Sequence, residues 1–264
     1  MDYGIAGKKA LVTGSSRGIG RAAAFALARE GVDVAICARQ LDRLEEVAEA
    51  IRAETGVKVV ALQGDMAVPD DIKRVVSEAA DGLGGLDILV NNAANFNIGT
   101  MGELRDEDWV HHFNVKVFGY IRCMREATPH MQRAGWGRVI NIAGIAARQS
   151  GGIGSTAGAT NAAVVNITKS AAESLAREGI TANVIHPGPT ETDRHQINME
   201  RRVRDTGMSM EDAERETVAG IPIGRMVQAE DIANMIVHFA SQGASAVTGQ
   251  AIAVDGGSTR GVYY

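Results

Sequence analysis

Seven short runs of β-branched and aliphatic residues, separated by longer stretches with helical periodicity, constrain this chain more than any other feature. The runs are KALVTG (9–14), VDVAICA (32–38), VKVVALQ (57–63), LDILVNN (86–92), GRVINIA (137–143), ITANVIHP (180–187) and QAIAVDG (250–256). Several are apolar almost without interruption, the pattern of strands covered by helices on both faces. The segments between them carry a helical period, as in RAAAFALAREG (21–31), which stops at a glycine. This alternation predicts an α/β fold with right-handed crossovers and a doubly wound parallel sheet of about seven strands. The 264 residues suffice for a single domain spanning 1–264.

One segment breaks the rhythm. Residues 192–218, TDRHQINMERRVRDTGMSMEDAERETV, are polar, charged and methionine-containing. Two readings fit them: a helical lid inserted over a pocket, or a solvated surface excursion.

Charge and composition remove several classes of function. Formal net charge is −5 and no lysine- or arginine-rich run stands out, which argues against nucleic acid or an anionic membrane as the partner. No apolar stretch approaches the ~20 residues that span a bilayer. The start, MDYGIAGKKALV, lacks the charged and apolar pattern of a signal peptide, so a cytoplasmic protein is expected. Cys37 and Cys123 have no metal-type spacing and read as small buried hydrophobes rather than a disulfide. No metal site is expected.

LVTGSSRGIG (11–20) places Gly14, Gly18 and Gly20 between the first strand and the first helix of a Rossmann-type arrangement. Glycine lets backbone approach a pyrophosphate closely, and the helix N-terminus offers unpaired N–H groups and a positive dipole. An acid at the end of the second strand would bind an adenosine 2′-hydroxyl and repel a 2′-phosphate. Here that strand runs into Arg39, and Arg17 lies inside the glycine loop. Two guanidiniums suit a phosphate, so NADP(H) is preferred and NAD(H) is the alternative.

The spacing Thr-Gly-x-x-x-Gly-x-Gly resembles the short-chain dehydrogenase/reductase family, and the resemblance continues in order along the chain. GD (64–65), NNAAN (91–95), FNVKVFG (113–119), HPGPTETD (186–193) and GQAIAVDGG (249–257) are similar to successive family segments, with Ala94 replacing a glycine. The resemblance implies a cofactor site of Gly14, Ser16, Arg17, Gly18, Ile19 and Gly20 in the first loop. Arg39, Asp65, Met66, Asn92 and Ala93 would follow, with Pro187, Gly188, Thr190 and Thr192 closing over the nicotinamide. It also implies a homodimer or homotetramer built on helices around 103–133 and 155–178.

In that family a serine polarises the substrate carbonyl, a tyrosine exchanges the proton, a lysine holds the ribose, and an asparagine completes the relay. The ungapped register of AGIAARQSGGIGSTAGATNAAV (143–164) puts the serine column on Gly144, the tyrosine column on Ala157 and the lysine column on Asn161. Asn114 alone is retained. Tyr3, Tyr120, Tyr263 and Tyr264 all lie outside this segment, and Lys169 is roughly 12 Å further along the helix and about 80° off its face. Ser155 and Thr156 precede the helical run and read as N-caps, and Ser150, in a glycine-flanked loop, is a candidate to face a substrate. His186 and His195 are candidate substitute proton carriers, each set against a packing or surface role.

Three functions are compatible with these residues. The first is an NADP(H)-binding oxidoreductase acting on a small carbonyl or alcohol at an atypical site. The second is a nucleotide- or ligand-binding pseudoenzyme. The third is non-redox elimination or isomerisation using His186 or His195.

Overall fold

Each apolar run becomes a strand, and all but the edge strands are largely buried. The computed structural model describes residues 2–95, 97–149 and 155–261; Ser150, Tyr263 and Tyr264 lie outside them. The strands are β1 (Lys9–Thr13), β2 (Asp33–Ala38), β3 (Val59–Gln63), β4 (Ile88–Asn91), β5 (Gly137–Ile142), β6 (Ile180–Pro187) and β7 (Ala251–Val254). They pair in parallel in the order β3-β2-β1-β4-β5-β6-β7. The chain winds outward from β1 to β3, then returns to β4 beside β1. The loops leaving β1 and β4 therefore diverge and open a crevice at the carboxyl edge of the sheet, where ligands bind in open α/β sheets.

The helices are α1 (Gly18–Arg29), α2 (Leu41–Thr55), α3 (Pro69–Leu83), α4 (Asp106–His112), α5 (Gly119–Ala134), α6 (Ser155–Leu175), α7 (Asp193–Thr206), α8 (Met210–Ala219) and α9 (Ala229–Ala240). Helices α1, α2 and α9 cover one face, where Leu27, Ile51 and Ile236 pack with Val12, Ile36 and Ile140. Helices α3, α5 and α6 cover the other, where Ile72, Cys123, Met131 and Ala172 pack with Leu11, Leu89 and Val139. Both cysteines are free and buried, as their reading as hydrophobes required. No helix of the described residues is long and apolar enough to cross a membrane.

Two local results differ from the sequence reading. The helix expected around 103–133 is two α-helices joined by a π-helical turn, Phe113–Phe118, in which the Gly119 N–H bonds the Asn114 carbonyl five residues back. Such a turn inserts one residue into the helical register and re-aims the side chains around it. Thr156 lies inside the first turn of α6 rather than before it, with its hydroxyl buried and without a partner among the described residues. Segment 192–218 folds as α7 and α8, joined by the Arg202 guanidinium, which donates to the Thr217 hydroxyl at 3.3 Å.

A polar knot sits between the central strands. The Asn91 amide donates to Asn141 Oδ1 at 2.9 Å, and the Asn141 amide donates to the Thr168 hydroxyl on α6 at 2.8 Å. All three residues are buried. Replacing Asn141 by Ala leaves the Asn91 amide unsatisfied, and we expect a loss of about 2–3 kcal/mol in urea unfolding. An unchanged midpoint would show that the knot contributes nothing net.

Candidate cofactor cleft and active site

The loop after β1 is drawn tight by its neighbours. The Thr13 hydroxyl accepts the N–H groups of Asn92 and Ala93 at 3.0 and 3.2 Å, while the Asn92 amide donates to the carbonyls of Thr13 and Gly14 at 3.1 and 3.0 Å. Asn92 thus holds the loop rather than presenting its amide to the cleft. Buried Ser15 ties the loop to β2, accepting the Cys37 N–H at 2.9 Å. A Cβ on Gly20 would fall 2.3 Å from the Gly14 carbonyl oxygen, and Gly14 itself has φ +67°. Helix α1 therefore starts against bare backbone. Its N-cap, Arg17, is extended and makes no side-chain cap, and no acid stands in the first turn. Unpaired N–H groups and a positive helix end face the cleft, which fits a pyrophosphate.

The other nucleotide positions are disposed along the same edge. Ser16 and Ile19 are half-buried in the loop, and Arg39 is exposed just beyond β2. Arg17 pairs with Asp193 at 3.6 Å, both side chains being more than half exposed. Asp65 follows β3 and accepts the Ala67 N–H at 2.9 Å. The Met66 side chain is committed to the core, its sulfur 3.7 Å from that of Cys123. Pro187 closes β6, and a Cβ on Gly188 would meet Asp255 Cα at 2.5 Å. The Thr190 hydroxyl donates to the Gly188 carbonyl at 2.8 Å. Thr192 caps α7 by accepting the His195 N–H, and its methyl lies 3.4 Å from where a Cβ on Gly18 would stand. The start of α7 thus rests on the glycine loop.

Gly144 leaves the end of β5 between two side chains. A Cβ there would lie only 2.8 Å from the Asn161 amide nitrogen, so Asn161 fills the space a serine side chain would need. Asn161 is 5% exposed, and its Oδ1 has no partner among the described residues. On the other side, His186 Nδ1 lies 2.8 Å from the Gly144 carbonyl. Nδ1–H donates there, which makes Nε2 the acceptor, buried and without a partner among the described residues. Burial pushes the His186 pKa down to about 4, so the ring is neutral at pH 7. It can hold the Gly144 loop or accept a proton, but it is a poor donor. As a proton carrier it is suited to act as a base rather than as an acid. His195 stands in the first turn of α7, half-buried, its pKa lowered by burial. No hydrogen bond among the described residues joins it to Gly144 or His186. Ala157 is half-buried on α6 and contributes only its carbonyl, which accepts from Thr160 at 3.3 Å. Asn114 is half-buried in the π turn.

Sequence reasoning missed two groups that border these positions. His112 is fully buried and meets the Thr160 hydroxyl at 3.3 Å; burial, with the charge of Lys116, pushes its pKa down to about 3. Lys116 is buried too, and its ammonium donates to the Ala143 carbonyl at 3.0 Å, one residue before Gly144. The signal was a lysine inside the apolar run VKVF, where a surface helix face would not place it.

The comparisons with known proteins agree with this architecture. The family model described as Enoyl-(Acyl carrier protein) reductase matches residues 14–259. The 3-oxoacyl-[acyl-carrier-protein] reductase FabG of Staphylococcus aureus is 36% identical over 251 residues, covering 95% of this chain and 97% of that protein. The NADPH-dependent reductase BacG of Bacillus subtilis is 34% identical over 256 residues, covering 97% and 99%. L-sorbose reductase from Gluconobacter frateurii, solved with NADPH and L-sorbose, superposes with a TM-score of 0.95 at 34% identity, over 99% of this chain and 100% of that one. The chain belongs to the short-chain dehydrogenase/reductase family.

The two buried histidines set an acid limit. Their folded pKa values, about 3 for His112 and about 4 for His186, lie below the ordinary 6.5, so the unfolded chain binds more protons in between. Stability is present above about pH 6.5 and is lost as pH falls toward 4 and then 3. For His186 the loss is on the order of 3 kcal/mol. Thermal unfolding of the His186→Gln variant from pH 7 to 4 should show a shallower fall than the wild type; parallel curves would contradict this.

Proposed function

We propose that the protein is an NADP(H)-dependent oxidoreductase acting on a small carbonyl or alcohol, with a proton supply unlike that of its relatives. The carrying observation is the cradle at Gly14, Gly18 and Gly20, where α1 begins against bare backbone and its first N–H groups remain uncapped. When bound, the nicotinamide supplies or accepts hydride. Gly14, Ser16, Gly18, Ile19 and Gly20 would hold the pyrophosphate, Arg17 and Arg39 the 2′-phosphate, and Asp65 with the Met66 and Ala93 backbone the adenine side. Pro187, Gly188, Thr190 and Thr192 would close over the nicotinamide, with α7 and α8 as the lid. Asn161 would meet the ribose through a neutral amide in place of an ammonium. The NADPH in the name of BacG and in the sorbose reductase complex supports the choice of cofactor, and NAD(H) remains the alternative.

Among the described residues, the pocket beside Gly144, Ala157 and Asn161 carries no hydroxyl acid of the tyrosine kind. A positioned general acid is worth roughly 10²–10⁴-fold, so turnover needs another proton source or stays slow. A second reading, a ligand-binding pseudoenzyme, is favoured by one observation: the Asn161 amide closes the space beside Gly144 that a polarising side chain would use. Elimination or isomerisation would draw on His186 as a base, in keeping with its free Nε2 lone pair. Assembly as a homodimer or homotetramer through α4, α5 and α6 belongs to the same proposal.

Fluorescence titration should give micromolar NADPH affinity, abolished by Gly20→Val; no binding by the wild type would overturn the proposal. Arg39→Ala should weaken NADPH at least about tenfold while leaving NADH nearly unchanged, since a charge-assisted phosphate contact contributes about 1.5–3 kcal/mol. Equal losses for both cofactors would place Arg39 away from the 2′-phosphate. The triple variant Gly144→Ser, Ala157→Tyr, Asn161→Lys separates the readings. A large gain in carbonyl reduction marks a site lacking only its proton groups, whereas no gain marks a pocket shaped for a different use.

A further inference from the structure

Lys116 is the one ammonium buried beside the vacated positions, and its surroundings are unusual for a lysine. It is 4% exposed and comes from the π turn that joins α4 to α5. Its single hydrogen bond among the described residues is to the Ala143 carbonyl, which leaves two of its three N–H groups uncommitted. The titratable and charged groups facing it are His112 from α4, Tyr120 from α5 with its ring centre 6.0 Å away, His186 from β6 and Arg194 from α7. The Tyr120 hydroxyl is turned away, donating to the Ile142 carbonyl at 3.0 Å. No described acid forms an ion pair with Lys116, and a buried charge without a counter-charge is costly unless function retains it.

The place of this ammonium is informative. Ala143 immediately precedes Gly144, and Gly144 is flanked by the Asn161 amide and by neutral His186. Both neighbours offer buried acceptor atoms, Asn161 Oδ1 and His186 Nε2, that have no partner among the described residues. Within this cluster Lys116 is the group able to release a proton near neutral pH, since His186 and His112 are already neutral there. Burial, with the charge of Arg194, pushes its pKa down to about 7.

We propose that Lys116 is the proton source of the vacated site, delivering to the ligand's carbonyl oxygen the proton that a tyrosine gives in related enzymes. The inference rests on the oxidoreductase reading above. As the carbonyl is reduced, an N–H bond of the ammonium breaks and an O–H bond forms on the ligand. The electron pair of the broken bond stays on nitrogen, and the neutral amine regains a proton from solvent after product leaves. Hydride and its electrons come from the reduced nicotinamide; Lys116 supplies the proton alone. A neutral amine near pH 7 can also take the proton back, so the same group serves alcohol oxidation.

The test uses Lys116→Met and Lys116→Arg in the full chain, with NADPH affinity as the control for an intact cleft. Met removes a buried charge, so its melting temperature should equal or exceed that of the wild type. The sign is fixed: the folded pKa lies below the unfolded one, wild-type stability therefore rises with pH between about 7 and 10.5, and the Met advantage should shrink over that range. Against a panel of aldehydes, vicinal diketones and 3-oxo esters, both variants should lose about 10²–10⁴-fold in kcat. Arg fails as well because it does not release its proton. Wild-type reduction should decline above an apparent pKa near 7, a limb missing from both variants. Wild-type-like rates and pH profile in Lys116→Met, with NADPH bound, overturn the proposal and leave the oxidoreductase reading standing. If the wild type binds NADPH but turns over none of the panel, that reading fails, and ¹⁵N-lysine NMR decides the remaining point. A side-chain signal absent from the Met variant and titrating near pH 7 retains Lys116 as the exchangeable proton, whereas a midpoint above 10 overturns it.

Discussion

The contact on which the nucleotide edge depends is the approach of Gly20 to the Gly14 carbonyl, so close that a methyl group would overlap it. That approach sets where α1 starts, and the start of α1 sets which N–H groups face the crevice. Asn92 and Thr13 then fasten the loops after β1 and β4 to each other, across the point where the winding of the sheet reverses. The anion site proposed here would be built from main chain and small residues, with charge added only at its margin by Arg17 and Arg39. Its polarity comes from helix geometry, which is insensitive to pH. The proton chemistry at the other end of the crevice depends on pH throughout.

That other end is organised by burial. Around Gly144 stand an amide, a neutral imidazole and an ammonium, each inside the protein and each lacking a full set of partners among the described residues. Desolvation lowers the histidines until they no longer carry a proton at neutral pH, and brings the lysine into the range where it exchanges one. The same burial that makes His186 a poor donor makes Lys116 a candidate, because both are cationic when protonated. The π turn contributes by carrying Lys116 inward between buried Val115 and Val117.

How much of this was legible in the sequence follows from the physics of each feature. The strands were readable because apolar runs covered on both faces leave little room for alternatives. Residues 192–218 were recognisable as a departure with a helical reading open to them, but the break into α7 and α8 at Gly207 was not read, because the pairing of the two helices is set by contacts such as that of Arg202 with Thr217. The cradle was readable because glycine at those spacings has a steric meaning. Lys116 left only a faint mark, a lysine inside the apolar run VKVF, because a lysine in a helical stretch is ordinarily a surface residue and the fold alone shows it enclosed. The π turn left no mark in residue type, being a shift of hydrogen-bond register. Thr156 was misplaced by about two residues because helix ends are the least determined part of a periodic pattern. The protonation states of His186 and His112 depend on solvent exclusion, which no local pattern encodes.

The close approach of Asn161 to Gly144 couples two of the vacated positions. A side chain introduced at 144 meets the Asn161 amide, which is the far end of a side chain able to turn aside. What a residue at 144 can present to the cleft is therefore set by the rotamer that residue 161 adopts, and the two columns act as one unit.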